Sequence, residues 1–248
     1  VLESLDDNGE YIKSQAAYAD YYSGFGWFGT FSDVDNVSMY KLRMGSEDNI
    51  VLTGNPVDVS TTVFNLSQGW NWIGYSPQIT LDINTALSNI PDGNGEYLKS
   101  QAGYADYYSG FGWFGTLEAM HPFLGFQLRL SEDTEFTYYD GDPGFTRSNT
   151  GNYGKYDYNV FDLNIHDYEF NGSMTTALYL DGERINSDDY LLAAFDGNTC
   201  VGYTEGLIFP LDGNIIFPLM VYGNEDNIPL TFKAYQLSTH TYYDIDKK

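Results

Sequence analysis

One stretch of this chain occurs twice, and the repetition limits what it can fold into. Gly9–Phe31, GEYIKSQAAYADYYSGFGWFGTF, returns 86 positions later at Gly95–Leu117 as GEYLKSQAGYADYYSGFGWFGTL. Of 23 aligned positions 20 are identical; the exceptions are Ile12/Leu98, Ala17/Gly103 and Phe31/Leu117. Self-similarity at a fixed period marks a duplicated structural unit. The phase continues downstream, where Tyr40-Lys41-Leu42-Arg43-Met44 lies opposite Phe126-Gln127-Leu128-Arg129-Leu130. That alternation predicts a strand.

Upstream the copies differ. Gly69–Asp92, GWNWIGYSPQITLDINTALSNIPD, precedes the second copy, whereas only Val1–Asn8 precede the first. The chain is therefore expected to begin inside a repeat. It is read either as a piece of a longer repeat protein or as a chain whose missing strand another molecule supplies. An incomplete sheet leaves unpaired backbone groups that an added strand can satisfy. The candidate edges are Val1, Leu2 and Leu5 at one end and the Thr241–Ile245 region at the other.

Charge narrows the partners. Eleven Lys and Arg face 35 Asp and Glu, a formal net charge of -24, which disfavours nucleic acid and anionic membranes. Disorder is disfavoured by 42% hydrophobic content. The 26 glycines among 23 tyrosines and 16 phenylalanines predict short strands and tight turns. A single cysteine, Cys200, forbids an intrachain disulfide and reads as a small buried hydrophobe. No apolar run approaches the ~18–20 residues of a membrane helix.

The order of elements predicts an all-β chain in three parts: a truncated repeat module over 1–54, a second over 55–143, and a β-sandwich over 144–248. Strands are expected at Asp58–Leu66 and Gly69–Tyr75 and a helix at Asp82–Ile90, stopped by Pro91. Asp140–Lys155 reads as the linker. Beyond it, strands are expected at Asp157–Ile165, Met174–Leu180, Tyr190–Phe195, Thr199–Tyr203, Ile215–Tyr222 and Leu230–Gln236, with a last one near Thr241–Ile245. Asp181-Gly182, Asp196-Gly197, Asp212-Gly213 and Gly223-Asn224 supply turns between them. Many short strands spaced by turns indicate a sandwich.

The run GWNWIGY, then EYLKSQAGYADYYSGFGWFGTL and HPFLGFQLRL, resembles a repeat of large secreted surface proteins, chiefly of Bacteroidetes-type bacteria. Leu98-Lys99-Ser100-Gln101, Trp113–Leu117 and Pro122–Phe126 stand at that repeat's Ile-Lys-Ser-Gln, Trp-x-Gly-x-Leu and Pro-Gly-x-Gly-Tyr positions. Phe123 replaces the first turn glycine and Phe126 the tyrosine. In the first copy Asn36-Val37-Ser38-Met39-Tyr40 stands where the Pro-Gly turn belongs. Ala193-Ala194-Phe195 with Cys200-Val201-Gly202 is similar to a module found beside such repeats. The resemblance implies architecture and an extracellular, cell-surface location, and it supplies no catalytic residue.

The residues allow three chemical readings. Catalysis has little support: His121, His166 and His240 are scattered, and no nucleophile elbow, zinc helix or phosphate loop appears. Calcium is the stronger idea. Asp6, Asn8 and Glu10, and again Asp92, Asn94 and Glu96, place oxygen donors at alternate positions before each repeat, with Gly to allow a curl. The alternative is that Asp-Gly and Asn-Gly simply make turns. Third, Trp27 and Trp113 in Gly-x-Gly-Trp-Phe-Gly offer indole faces for a glycan, or else pack into the core. Strand phase puts Phe25, Trp27 and Gly29 on one face and Phe28 on the other. The expectation is a non-enzymatic extracellular structural protein, a building block of a filament, sheath or adhesin stalk. Its partners would be further copies of itself or neighbouring surface proteins. A carbohydrate-binding module is the alternative.

Overall fold

A computed structural model describes residues 5, 7–31, 33–50, 54–141 and 160–246 of the chain. The protein is all-β, built from antiparallel sheets. It divides into two compact units, Val1–Ser100 with Ala105–Ser148, and Gln101–Tyr104 with Asn149–Lys248. The first repeat and all of the second except Gln101–Tyr104 fall in the first unit, which therefore spans the boundary expected at 54/55.

In the first copy the strands are β1 (Gly9–Lys13), β2 (Tyr18–Tyr22), β3 (Gly26–Gly29) and β4 (Lys41–Met44), in sheet order β3-β2-β1-β4. The β2–β3 hairpin needs left-handed backbone at Gly24 (φ 80°) and Gly26 (φ 92°), where a side chain would be strained. That explains the Ser-Gly-Phe-Gly spelling, which recurs with Gly110 and Gly112 at 79° and 92°.

The second copy adds elements. In chain order they are β5 (Phe64–Leu66), β6 (Gly69–Gly74), β7 (Leu81–Asp82), α1 (Ile83–Ala86), β8 (Gly95–Lys99), β9 (Tyr104–Tyr108), β10 (Gly112–Gly115), β11 (Ala119–Met120), β12 (Gly125–Leu130) and β13 (Thr134–Phe136). The main sheet runs β10-β9-β8-β12-β6, with two-stranded pairings β11-β7 and β13-β5 beside it. Register is duplicated too. Tyr11 faces Arg43 and Gly9 faces Met44 across a bulge, as Tyr97 faces Arg129 and Gly95 faces Leu130.

The core of this unit gathers Leu98, Ala105, Trp113, Leu117, Phe126 and Leu128 from the repeat, and Phe64, Ile73, Ile83, Leu87, Phe136 and Tyr138 from the added elements. Period-2 alternation sends β8 and β12 side chains to this face, and burying such rings and branched chains contributes about 1.5–3 kcal/mol each.

Two expected elements are shorter than their patterns. The helix is one turn, Ile83–Ala86, capped by the Asp82 side chain accepting from Asn84 and Thr85 N–H groups. Its apolar stripe of Ile83, Ala86, Leu87 and Ile90 is buried, but the turn N–H of Ile90 already donates to Leu87 O. The strand expected at Asp58–Leu66 survives only at its end. Asp58 accepts from Ser60 N–H and Oγ–H and from Thr62 Oγ1–H, holding a turn instead.

The second unit has β14 (Phe170–Thr176), β15 (Tyr179–Leu180), β16 (Glu183–Arg184), β17 (Tyr190–Asp196), β18 (Thr199–Glu205), β19 (Leu207–Ile208), β20 (Ile215–Gly223), β21 (Leu230–Gln236) and β22 (Thr241–Asp244). A sheet ordered β14-β20-β19 and one ordered β18-β17-β21-β22 enclose Leu192, Ala194, Val201, Phe217, Leu219 and Ala234. The other face of β17 carries Leu191 and Ala193, packed with Phe161, Cys200 and Tyr235. Small residues at 193 and 194 are therefore buried on both sides, and Cys200 is a buried thiol as read from the sequence. The strand expected at Asp157–Ile165 does not form over 160–164, and Ile165–Asp167 is a 3-10 turn. Residues 142–155 of the expected linker lie outside the described residues.

Candidate functional site

The residues assigned to calcium are held by protein groups. Asn94 Oδ1 accepts from Glu132 N–H at 2.8 Å and Ser131 Oγ–H at 3.1 Å. In the first copy Asn8 Oδ1 accepts from Ser46 N–H and Oγ–H, both at 2.9 Å, and Asn8 Nδ2 donates to Asp48 at 3.1 Å. That bond holds the exposed Asp48 carboxyl below its ordinary pKa. Glu10 pairs with Arg43 at 2.6 Å and Glu96 with Arg129 at 2.9 Å. Asp92 accepts from the Tyr107 hydroxyl, which pushes that phenol up, whereas in the first copy Tyr21 donates to Asp7 at 3.1 Å. Asp6 lies outside the described residues. Among those residues no group of three His, Cys, Asp or Glu side chains converges as a metal site would. Each Asn-Gly-Glu run latches the start of a repeat to the end of its fourth strand.

Of the two tryptophans read as a glycan platform or else as core, Trp113 is buried in the core and Trp27 is half-buried. Trp113 is 6% exposed, edge-on to Tyr107 at 5.2 Å. Asn84 clips it to α1, accepting from Trp113 N–H at 2.7 Å and donating to Trp113 O at 3.3 Å. Its ring lies over Gly95, where a Cβ would come within 2.7 Å. Trp27 repeats this over Gly9, at 2.5 Å, half-buried beside Tyr21. Its indole Nε1–H is buried and has no partner among the described residues. Trp27 stands opposite Tyr21 and Phe28 opposite Asp20, so these two side chains alternate across the strand, and the buried Trp113 ring follows the core alternative.

The face of the first copy's sheet opposite Trp27 is open. In the first copy Phe28 stands opposite Asp20, which stands opposite Tyr11, which stands opposite Arg43. Tyr18, Tyr22 and Phe28 are more than half exposed, and Phe25 at the hairpin tip is 81% exposed. Lys13 lies over Tyr11, 5.0 Å from the ring centroid.

Leu5, expected as an assembly edge, is 1% exposed and belongs to the core; its carbonyl accepts from Asn8 N–H. Val1 and Leu2 lie outside the described residues. A sheet edge is completed elsewhere. β12 occupies one side of β6. Along the other run Val37–Met39 of the first copy, with Ser38 bridged to Ile73. Met39 N–H donates to Trp72 O at 3.2 Å, and Gly74 N–H donates to Val37 O at 2.7 Å. Gln15 continues the pairing with its side chain: Nε2 donates to Trp70 O at 2.7 Å and Oε1 accepts from Trp72 N–H at 2.9 Å. Asp35 shapes the incoming segment by accepting from Val37 and Ser38 N–H groups. Lys41 Nζ sits 4.9 Å from the Trp72 ring centroid.

Sequence reasoning missed this junction because its partners lie 55 residues or more from Gln15. The available signal was the identity of Lys-Ser-Gln-Ala in both copies. No family model matches the chain, and neither a curated protein nor a solved structure matches it.

Proposed function

We propose that this chain is a structural building block of an extracellular assembly, made of modules that join by completing one another's sheet edges. The junction at β6 carries the reading. An edge strand presents a row of backbone donors and acceptors that invites pairing, and here the preceding module fills it with three backbone residues and one glutamine amide. A mode of joining that uses mainly backbone groups can be repeated along a series of modules with little demand on sequence. Duplication and the resemblance to surface-protein repeats support the same reading and the extracellular location. Sedimentation velocity of the purified chain, followed by negative-stain imaging, tests it. Regular particles are expected; a monomer at every concentration, with calcium and with chelator alike, overturns it.

A carbohydrate-binding role is the second reading, favoured by the exposed rings of Tyr18, Tyr22, Phe25 and Phe28. Aromatic rings of this kind present apolar faces on which a pyranose can stack. Retention on cellulose or chitin beads that falls with Tyr22→Ser and Phe28→Ser supports it; retention unchanged by both removes its basis.

A further inference from the structure

We infer that the β6 edge accepts the Gln15 and Val37–Met39 elements of a second copy of this chain, so that copies link by exchanging their first repeat. This rests on the assembly reading above and names its contact.

The first repeat is a sheet of its own, β3-β2-β1-β4, with its own latch at Asn8 and ion pair at Glu10. It is tied to the second repeat by the β6 junction and by the connecting stretch after β4. Between Met44 and Phe64 no strand forms among the described residues. Val59, near the end of that stretch, packs against the second repeat's core. The remaining connection, residues 45–58, reaches on the order of 45 Å when extended. Its length leaves the identity of the docking partner open: the same surface can be filled from within or from a neighbour. Exchange of an identical element between protomers is an inexpensive route to association. Because donor and acceptor are different surfaces, the contact is head-to-tail and grows into chains unless it closes on itself.

The acceptor is built for an incoming backbone. Gly74 and Gly125 stand opposite each other in register, and both lack the side chain that the donor segment would strike. A Cβ on Gly74 would lie 2.9 Å from Ser38 O, and one on Gly125 would lie 2.4 Å from Met39 Cγ. The donor brings its own anchor, since Met39 is buried there. The chain's formal charge of -24 opposes association between copies at low salt, so exchange should increase with ionic strength.

Ser38 and Ile73 form the pair flanked by the two backbone hydrogen bonds, the close antiparallel arrangement suited to a disulfide. One chain carries Ser38→Cys and Cys200→Ser; the other carries Ile73→Cys and Cys200→Ser. They are mixed at high salt under mild oxidation and run on a non-reducing gel. The expected product is a band at twice the 28.0 kDa chain mass, absent from either chain alone and lost on reduction. A control chain with both cysteines, oxidised at low salt and high dilution where exchange is suppressed, closes its disulfide internally and reports that the pair is in place. If the control closes and the mixture stays monomeric while the wild type sediments as particles, exchange is refuted and assembly stands. If the wild type never forms particles, the assembly reading falls with it. Should the Ile73→Cys chain fail to fold, Gln15→Glu serves instead. It sets a carboxylate against Trp70 O, and particles forming at the wild-type concentration would overturn the inference.

Discussion

Met39 lies directly over Gly125, the residue that holds its own place one repeat later. The separation is the repeat offset of 86, and a Cβ on Gly125 would meet Met39 Cγ at 2.4 Å and Cβ at 2.8 Å. Two equivalent positions have thus diverged into a knob and the space that admits it. Gly125→Ala is expected to destabilise the first unit by about 1–3 kcal/mol through overpacking. Met39→Ala vacates the space at a cost of about 2–5 kcal/mol, after which Gly125→Ala should cost far less. Urea denaturation of the four chains of this cycle measures the coupling; additive effects would deny the contact.

Asn94 is a buried latch between the start of β8 and the end of β12. Asn94→Ala removes the acceptor for Glu132 N–H and Ser131 Oγ–H, and leaving such donors unsatisfied costs about 1–3 kcal/mol. The same account predicts that chelator leaves the melting temperature of the wild type unchanged. A calcium-dependent rise in melting temperature that disappears in Asn94→Ala would return these loops to metal binding.

Three buried phenols set the alkaline limit. Burial holds the hydroxyls of Tyr75 and Tyr138 well above the ordinary tyrosine range and pushes Tyr222 up to about 12. Tyr138 donates to Gly74 O at 3.0 Å, and Tyr75 donates to Ile79 O at 2.9 Å. A phenol with a raised folded pKa remains protonated in the fold after it would ionise in the unfolded chain. Its contribution is complete below the unfolded value near ~10 and is lost as pH rises through the folded one, at about 1.4 kcal/mol per pH unit per group. Denaturation midpoints should hold steady from neutral pH to about 9 and fall above about 10. Tyr138→Phe should lower stability at neutral pH and flatten the alkaline slope; an unchanged slope would contradict the assignment.

Phe123 adopts φ 69° while 90% exposed, so it bears left-handed strain with almost no burial to offset it. It stands where the repeat it resembles carries glycine. Phe123→Gly relieves roughly 1–2 kcal/mol of backbone strain against an unfolded-state entropy cost of about 0.5–1 kcal/mol. The variant should be as stable as wild type or slightly more so by thermal melting. A loss beyond about 1 kcal/mol would show that the ring packs against something in solution.

The sequence by itself determined the duplication, the all-β class and the strand phase. It also located most strands of the second unit, where Leu230–Gln236 matches residue for residue and several others differ only at their ends. These are local properties: alternation of apolar residues, and glycines where the backbone turns left-handed. Which side of each sheet is covered is not local. Trp27 and Phe28 alternate on any strand, but only α1 and the added strands of the second repeat decide that the tryptophan side becomes core there. The Asn-Gly-Glu runs carry oxygen donors at alternate positions, and only the fold supplies their cross-strand partners at Ser46, Glu132, Arg43 and Arg129. Gln15 carries no mark in its own neighbourhood of being a strand-edge clamp. Its role exists only because folding brings the open side of β6 within hydrogen-bond reach of its amide.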